Sequence, residues 1–90
     1  MNYKVTRTQR FDKRLFELEK DVQERVISKL KEFKKQVNDY GIDPKHHNYT
    51  KFIAVDSTWR LRIGDYRAFF DILEDEIKFT TVLLRKDACR

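Results

Sequence analysis

Three arginines surround a predicted tight turn and could together bind an anion. Apolar and polar residues alternate on both sides of Gly64-Asp65, which predicts two strands joined by a type II′ turn with glycine at its first central position. In that register Ile63 pairs with Tyr66, and one sheet face carries Arg60, Arg62, Arg67 and Phe69. Because like charges opposite one another destabilise a sheet, this concentration of guanidinium groups predicts an anionic ligand.

The composition limits the class of protein and of partner. Ninety residues with 20 Lys and Arg against 15 Asp and Glu, a net charge of +5, predict one domain over residues 1–90. The charge favours a nucleic acid or an acidic protein as partner. The single cysteine, Cys89, cannot form an internal disulfide and favours a cytoplasmic location. No apolar run approaches the ~20 residues of a membrane span, so no membrane partner is expected.

The first half of the chain predicts a strand and two helices. Asn2–Thr6 alternates as a strand does, and Thr8 is placed to cap a helix that begins around Gln9. The apolar side of this helix consists of Phe11, Leu15, Phe16 and Leu18. Asp21 with Glu24 resembles a capping box for a second helix, which Gly41 should end. Apolar residues recur there at three- and four-residue steps: Val22, Val26, Ile27, Leu30, Phe33 and Val37.

The second half predicts a sheet. A loop runs from Gly41 to about Tyr49, and Lys51–Val55 is either the start of a strand or a docked loop. After the hairpin, a four-residue polar turn over Leu73–Glu76 leads into a last strand, Ile77–Leu84. This register predicts the following pairs: Ile72 with Ile77, Asp71 with Lys78, Phe70 with Phe79 and Tyr66 with Leu83.

The order of elements predicts the fold class. The apolar stripe of the second helix needs a partner surface, and the aromatic face of the sheet is the large one available. The chain is therefore predicted to be a two-layer α+β domain, with strand, helix and helix followed by a three-strand antiparallel meander, and with the helices packed on one sheet face.

The hairpin also resembles that of the RelE/ParE superfamily, the toxins of prokaryotic type II toxin–antitoxin modules. In this family an aromatic residue and alternating basic residues precede a Gly-Asp-type turn, and Tyr-Arg follows it, as in Trp59–Arg67 here. The segment Leu84–Asp87 is similar to the family's basic C-terminal segment. The resemblance covers essentially the whole chain and implies a RelE-like fold.

The resemblance implies a ribosome-dependent mRNA endoribonuclease that enters the ribosomal A site, contacts rRNA there and inhibits translation. In this chemistry the ribose 2′-OH attacks the adjacent phosphate and leaves a 2′,3′-cyclic phosphate and a 5′-OH. Catalysis then requires stabilisation of a charged phosphorane, which guanidinium groups suit. By motif position, the implied catalytic residues are Arg60, Arg62, Arg67 and Arg85. Neither a metal nor another cofactor is expected.

The family motif leaves the general base of this reaction unassigned. Many family ribonucleases carry lysines at positions 60 and 62, where this chain has arginines, and an arginine does not act as a base. Where many family members have a C-terminal tyrosine, this chain has Ala88-Cys89. Where some relatives have a histidine just before the C-terminal arginine, it has Leu84. His46 and His47, in the loop before the sheet, are candidate bases, although adjacent loop histidines are more often solvated surface.

Four other residues are candidates for contact with RNA. Phe69 could stack on a base, or it could pack against another part of the fold. Lys51, Lys78 and Lys86 could contact the RNA backbone or be ordinary solvated side chains. The lysines of the second helix have the same two interpretations, with rRNA phosphates as the ligand.

Two alternatives to a ribonuclease remain open. One is a ParE-like toxin that inhibits DNA gyrase, and the other is a catalytically decayed toxin that only binds its antitoxin. All three imply a cognate antitoxin and a hetero-oligomeric complex, in which an acidic antitoxin segment would complement the positive charge.

Overall fold

A computed structural model describes residues 3–42, 49–51 and 58–88 of the chain. In these residues a mixed sheet of five strands is covered on one face by helices, so the predicted two-layer α+β fold is confirmed. His46, His47, Cys89 and most of the predicted segment Lys51–Val55 lie outside the described residues. The elements are β1 (Lys4–Arg7), α1 (Gln9–Phe16), α2 (Lys20–Tyr40), β2 (Tyr49–Lys51), β3 (Thr58–Ile63), β4 (Tyr66–Leu73), β5 (Glu76–Leu84) and α3 (Arg85–Ala88).

The sheet extends the predicted meander at both edges. Its strand order is β1-β5-β4-β3-β2, with antiparallel pairing from β2 through to β5. The strand β2 adds a fourth antiparallel member, whose Thr50 lies opposite Arg60. At the other edge β1 pairs in parallel with β5, Val5 lying opposite Ile77. The two helices lead the chain from β1 to β2 at the opposite edge of the sheet, and the meander then returns it to β5 beside β1.

The cap of α1 agrees with the sequence, whereas one of its predicted core residues does not. The Thr8 hydroxyl accepts a hydrogen bond from the Phe11 amide at 3.1 Å, as predicted for an N-cap. Phe11 and Leu15 are buried, but Phe16 is 73% exposed, so its assignment to the core side was wrong. Each helical residue turns the direction of the side chain by about 100°, which carries Phe16 off the face that Phe11 and Leu15 share.

The second helix starts at Lys20, two residues earlier than a cap at Asp21 would allow. The N-cap position is Glu19 and makes no side-chain capping bond, so the predicted capping box of Asp21 and Glu24 is wrong. The side-chain Nε2 of Gln23 instead donates to the Leu18 carbonyl at 2.8 Å. At the far end Gly41 adopts φ of 83° and its N–H bonds the Val37 carbonyl, as the predicted stop requires. Among the described residues no helix is long and apolar enough to cross a membrane.

Four phenylalanine rings join the two layers. Phe79 of β5 lies 5.1 Å from Phe70, 5.9 Å from Phe11 and 6.1 Å from Phe33, measured between ring centroids. Phe33 of α2 is also 5.4 Å from Phe70. The tilted and edge-on geometries are those that aromatic pairs prefer, and all four residues are at most 2% exposed.

The pairing of β4 with β5 is as predicted near its turn and shifts further along. The predicted pairs Ile72–Ile77, Phe70–Phe79 and Asp71–Lys78 are confirmed. The turn itself is tighter than four residues, since Leu73 pairs with Glu76 and Glu74 takes φ of 54°.

A β-bulge accounts for the shift. Phe70 pairs with Phe79 but Phe69 pairs with Thr81, so Thr80 is the extra residue. Tyr66 therefore pairs with Leu84, and the predicted partner Leu83 is wrong. The bulge is held by the Thr80 hydroxyl, which donates to the Phe69 carbonyl at 3.4 Å, and by the Thr8 hydroxyl, which donates to the Thr80 carbonyl at 3.1 Å.

We expect Phe79→Ala to destabilise the protein by about 3–5 kcal/mol, because it removes the ring that contacts the other three. Phe16→Ala removes the same side chain from an exposed position and should change the free energy of unfolding by less than about 0.5 kcal/mol. Urea unfolding monitored by circular dichroism checks both values. Equal effects of the two substitutions would contradict this description of the core.

Candidate functional site

The β3–β4 hairpin has the register that the sequence predicts. Ile63 pairs with Tyr66, and Arg62 lies directly opposite Arg67. Gly64 has φ of 58°, and among the described non-glycine residues only Glu74 has a positive φ. Positive φ at the first central position alone is the pattern of a type II′ turn, which matches the twist of the strands it joins.

The guanidinium of Arg67 is fixed against this turn. Its Nη1 donates to the Gly64 carbonyl at 2.9 Å and to the Tyr66 carbonyl at 2.8 Å. Nη1 carries two of the five N–H donors of the group, and the two bonds use both. The side chain is therefore held beside the turn before any ligand binds, which lowers the entropy cost of binding.

The C-terminal basic segment reaches the same turn. The Arg85 amide donates to the Asp65 carbonyl at 2.7 Å, so the first residue of α3 is attached to the hairpin tip. Arg85 and Lys86 are both exposed. The backbone of Arg85 is thus brought next to the turn against which Arg67 is held.

Lys78 lies at the other end of the arginine face. It pairs with Asp71, whose carboxylate accepts a hydrogen bond from the Thr58 hydroxyl at 2.7 Å. Four residues along β4 separate Asp71 from Arg67, a distance of about 13 Å at the rise of a strand. Lys78 is therefore grouped with a carboxylate and not with the arginines of the turn.

Phe69 and Arg60 lie between these two groups. They are directly opposite each other in the register, on the sheet face that α1 and α2 do not cover. Arg60 is half-buried, and Phe69 is only 7% exposed. A base could stack on this ring only after the groups covering it moved, so the predicted role of Phe69 in stacking stays a prediction.

The remaining predicted residues are located only in part. Lys51 ends β2 opposite Trp59, which fixes its backbone beside the hairpin. The candidate bases His46 and His47 lie outside the described residues.

A depression beside the turn is lined by a basic residue, Arg25, that the sequence did not single out. It measures about 380 Å³, and α2 forms one of its walls and the hairpin the other. Its charged lining residues are Arg25, Lys29, Glu32 and Arg62. The sequence pattern did not identify Arg25, because its proximity to the turn follows from the packing of α2 on the sheet.

Comparison with known proteins agrees with this fold. No family model and no curated protein matches the chain, whereas solved structures do. The RelE–RelB complex of the archaeon Pyrococcus horikoshii OT3 matches with 22% identity and a TM-score of 0.66, over 94% of this chain and 97% of that one. The RelBE2 toxin–antitoxin complex of Mycobacterium tuberculosis matches with 16% identity and a TM-score of 0.74, over 94% and 100%.

A third structure extends the likeness over the whole length of both chains. The DinJ–YafQ toxin–antitoxin complex of E. coli matches with 12% identity and a TM-score of 0.67, over 100% of this chain and 100% of the matched chain. The chain therefore has a RelE-like fold, and the resemblance predicted from the hairpin is confirmed at the level of the fold.

We expect Gly64→Ala to cost about 1–2 kcal/mol, the penalty of an L-residue at positive φ. Steric overlap would add little, because an added Cβ meets Arg25 Nη1 at 3.6 Å, an ordinary contact. Asp65→Ala, at the adjacent position of the same turn, should change stability by less than about 0.5 kcal/mol. Thermal unfolding of the two variants checks the difference, and an equal loss in both would argue against the type II′ turn.

Proposed function

We propose that this protein is the toxin of a type II toxin–antitoxin module and that it cleaves mRNA on the ribosome, which inhibits translation. The observation that carries the proposal is that three arginines are placed at one hairpin turn: Arg62 and Arg67 by their pairing and Arg85 by its backbone N–H. The fold adds support, since toxin–antitoxin complexes are among the solved structures similar to this chain.

The arrangement suits transfer of a phosphoryl group. When the ribose 2′-OH attacks the adjacent phosphate, a P–O bond forms, the bond to the 5′ oxygen breaks, and negative charge builds on the equatorial oxygens. A guanidinium already held in place stabilises that charge without reorganising. In our proposal Arg67 and Arg85 bind these oxygens, while Arg60 and Arg62 hold the flanking backbone.

The proton of the 2′-OH must pass to a base, and the leaving 5′ oxygen must receive a proton. Arginine does neither at neutral pH because its guanidinium stays protonated there. We propose that His46 or His47 accepts the first proton. A solvent water molecule supplies the second to the leaving oxygen, and the protonated histidine then neutralises the hydroxide that this leaves. Lys51, Lys78, Lys86 and Phe69 complete the proposed RNA-contacting set, and the reaction would take place in the cytoplasm at the ribosomal A site.

We expect expression of the protein in growing cells to arrest translation and to leave mRNA cut within codons. Arg67→Ala should abolish both effects, because it removes the guanidinium from the turn. Arg10→Ala removes the same group from an exposed position on α1 and should leave both intact. Mapping the 5′ ends of cellular mRNA, together with unfolding curves of the purified variants, provides the measurement.

Other outcomes of that experiment point to the alternatives. Arrest with intact mRNA and inhibited supercoiling by purified gyrase would identify a ParE-like toxin. Normal growth on unopposed expression would identify a decayed toxin that retains only antitoxin binding.

The helix side of the molecule provides a surface for the proposed antitoxin. Two adjoining depressions of about 410 and 340 Å³ both contain Arg7, Ile27 and Lys31. Phe16 lines the larger one and is 73% exposed. The apolar floor and basic rim are complementary to an amphipathic segment with acidic residues, and this charge complementarity leads us to propose an antitoxin segment as the occupant.

We expect Phe16→Ser to weaken binding of the antitoxin at least tenfold, since exposed aromatic side chains often contribute most to an interface. The ligand to use is the purified cognate antitoxin, with affinity measured by calorimetry. Phe16→Ser should unfold at the same urea concentration as the unchanged chain. Unchanged affinity would place the antitoxin elsewhere on the molecule.

A further inference from the structure

The depression beside the hairpin turn carries an excess of positive charge. Its charged lining residues are three cations and one carboxylate: Arg25, Lys29, Arg62 and Glu32. Lys29 Nζ lies 3.6 Å from Glu32 Oε1, so that pair is largely balanced. The two guanidinium groups account for the remaining charge, and the space of about 380 Å³ is ample for a phosphate group with its bound water.

Arg25 reaches across from α2 to the hairpin. Its Nη1 lies 3.6 Å from the position of a Cβ on Gly64, and the side chain is 58% exposed. The nearest recorded carboxylate oxygen, Oδ2 of Asp21, is 3.8 Å from Nη2. An ion pair at that distance and exposure contributes little, so it would yield readily to an anionic phosphate group.

Arg62 connects this depression with the proposed catalytic arginines. It lines the depression and lies directly opposite Arg67, with about 5 Å between the Cα atoms of such a pair. An RNA strand carries a phosphate at every nucleotide. A strand whose reacting phosphate contacts Arg67 therefore presents a neighbouring phosphate to the cations on the far side of Arg62.

We propose that the depression between α2 and the hairpin turn binds an RNA phosphate, with Arg25 and Arg62 as its ligands and Lys29 as an additional positive charge. The proposal rests on the proposed ribonuclease function and extends its RNA contacts from the hairpin to α2. Arg25 is then a binding residue that neither takes part in the proton transfers nor contacts the reacting phosphate.

The first test uses inorganic phosphate and needs no ribosome. Inorganic phosphate is added stepwise, and the backbone amide signals are followed by ¹⁵N NMR. The signals of Ser28 and Gly64 should shift in the unchanged chain and in Arg10→Gln. In Arg25→Gln these shifts should be lost. Retention of the shifts in Arg25→Gln, or their absence in the unchanged chain, would overturn the assignment.

The second test measures binding to ribosomes in two forms. One carries mRNA with a 2′-O-methylated A-site codon, which prevents 2′-OH attack, and the other has no mRNA. Arg25→Gln should weaken binding about tenfold relative to Arg10→Gln, and the slope of log affinity against log salt should fall by about 0.7, the value for one single-strand phosphate contact. Weakening confined to the mRNA-loaded ribosome identifies an mRNA phosphate, and equal weakening in both identifies an rRNA phosphate.

The outcomes separate the two proposals. If the unchanged chain binds both ribosome forms equally and leaves mRNA intact in cells, the ribonuclease function fails, while the phosphate titration still decides whether the depression binds an anion. If Arg25→Gln and Arg10→Gln behave alike on ribosomes, the RNA assignment of Arg25 is wrong and the ribonuclease function stands. Weakening of antitoxin binding alone would assign the depression to a carboxylate of that partner and would overturn our proposal.

Discussion

The contact between Phe33 of α2 and Phe70 and Phe79 of the sheet is the interaction on which the rest of the structure depends. The aromatic cluster is buried between α2 and one face of the sheet, and this face forms the sheet's side of the core. The same contact fixes the height and direction of α2 above the hairpin, because packed side chains leave little room for a helix to slide. The position of Arg25 beside Gly64 is thus a consequence of core packing, although neither residue belongs to the core.

The bulge at Thr80 connects this core with the candidate site. An extra residue reverses the alternation of side chains, so Ile77 and Phe79 before it and Val82 after it all face the core, although an uninterrupted strand would turn Val82 outward. The shift also pairs Tyr66 with Leu84 and brings the next residue, Arg85, beside Asp65. Without the bulge the C-terminal arginine would reach the turn one residue out of register.

The features that the sequence predicts are those determined locally. The hairpin register, the Thr8 cap and the stop at Gly41 each depend on residues within a few positions of one another, and all three are as predicted. The bulge depends on a bond between Thr8 and Thr80, and the depression depends on Arg25 approaching Gly64. Alternation and periodicity carry no information on such long-range contacts, so Leu83 was assigned to the wrong face and Arg25 was missed.

The turn itself explains how a face with several like charges is tolerated. Its three consecutive carbonyls, those of Gly64, Asp65 and Tyr66, accept hydrogen bonds from Nη1 of Arg67 and from the amide of Arg85. Carbonyl dipoles that point at the guanidinium of Arg67 offset part of the repulsion from its neighbour Arg62. Because a carbonyl has no net charge, these two bonds orient the guanidinium without neutralising it. In our proposal phosphate binding and proton transfer therefore belong to different residues, because an arginine that keeps its charge at neutral pH binds an anion and does not act as a base.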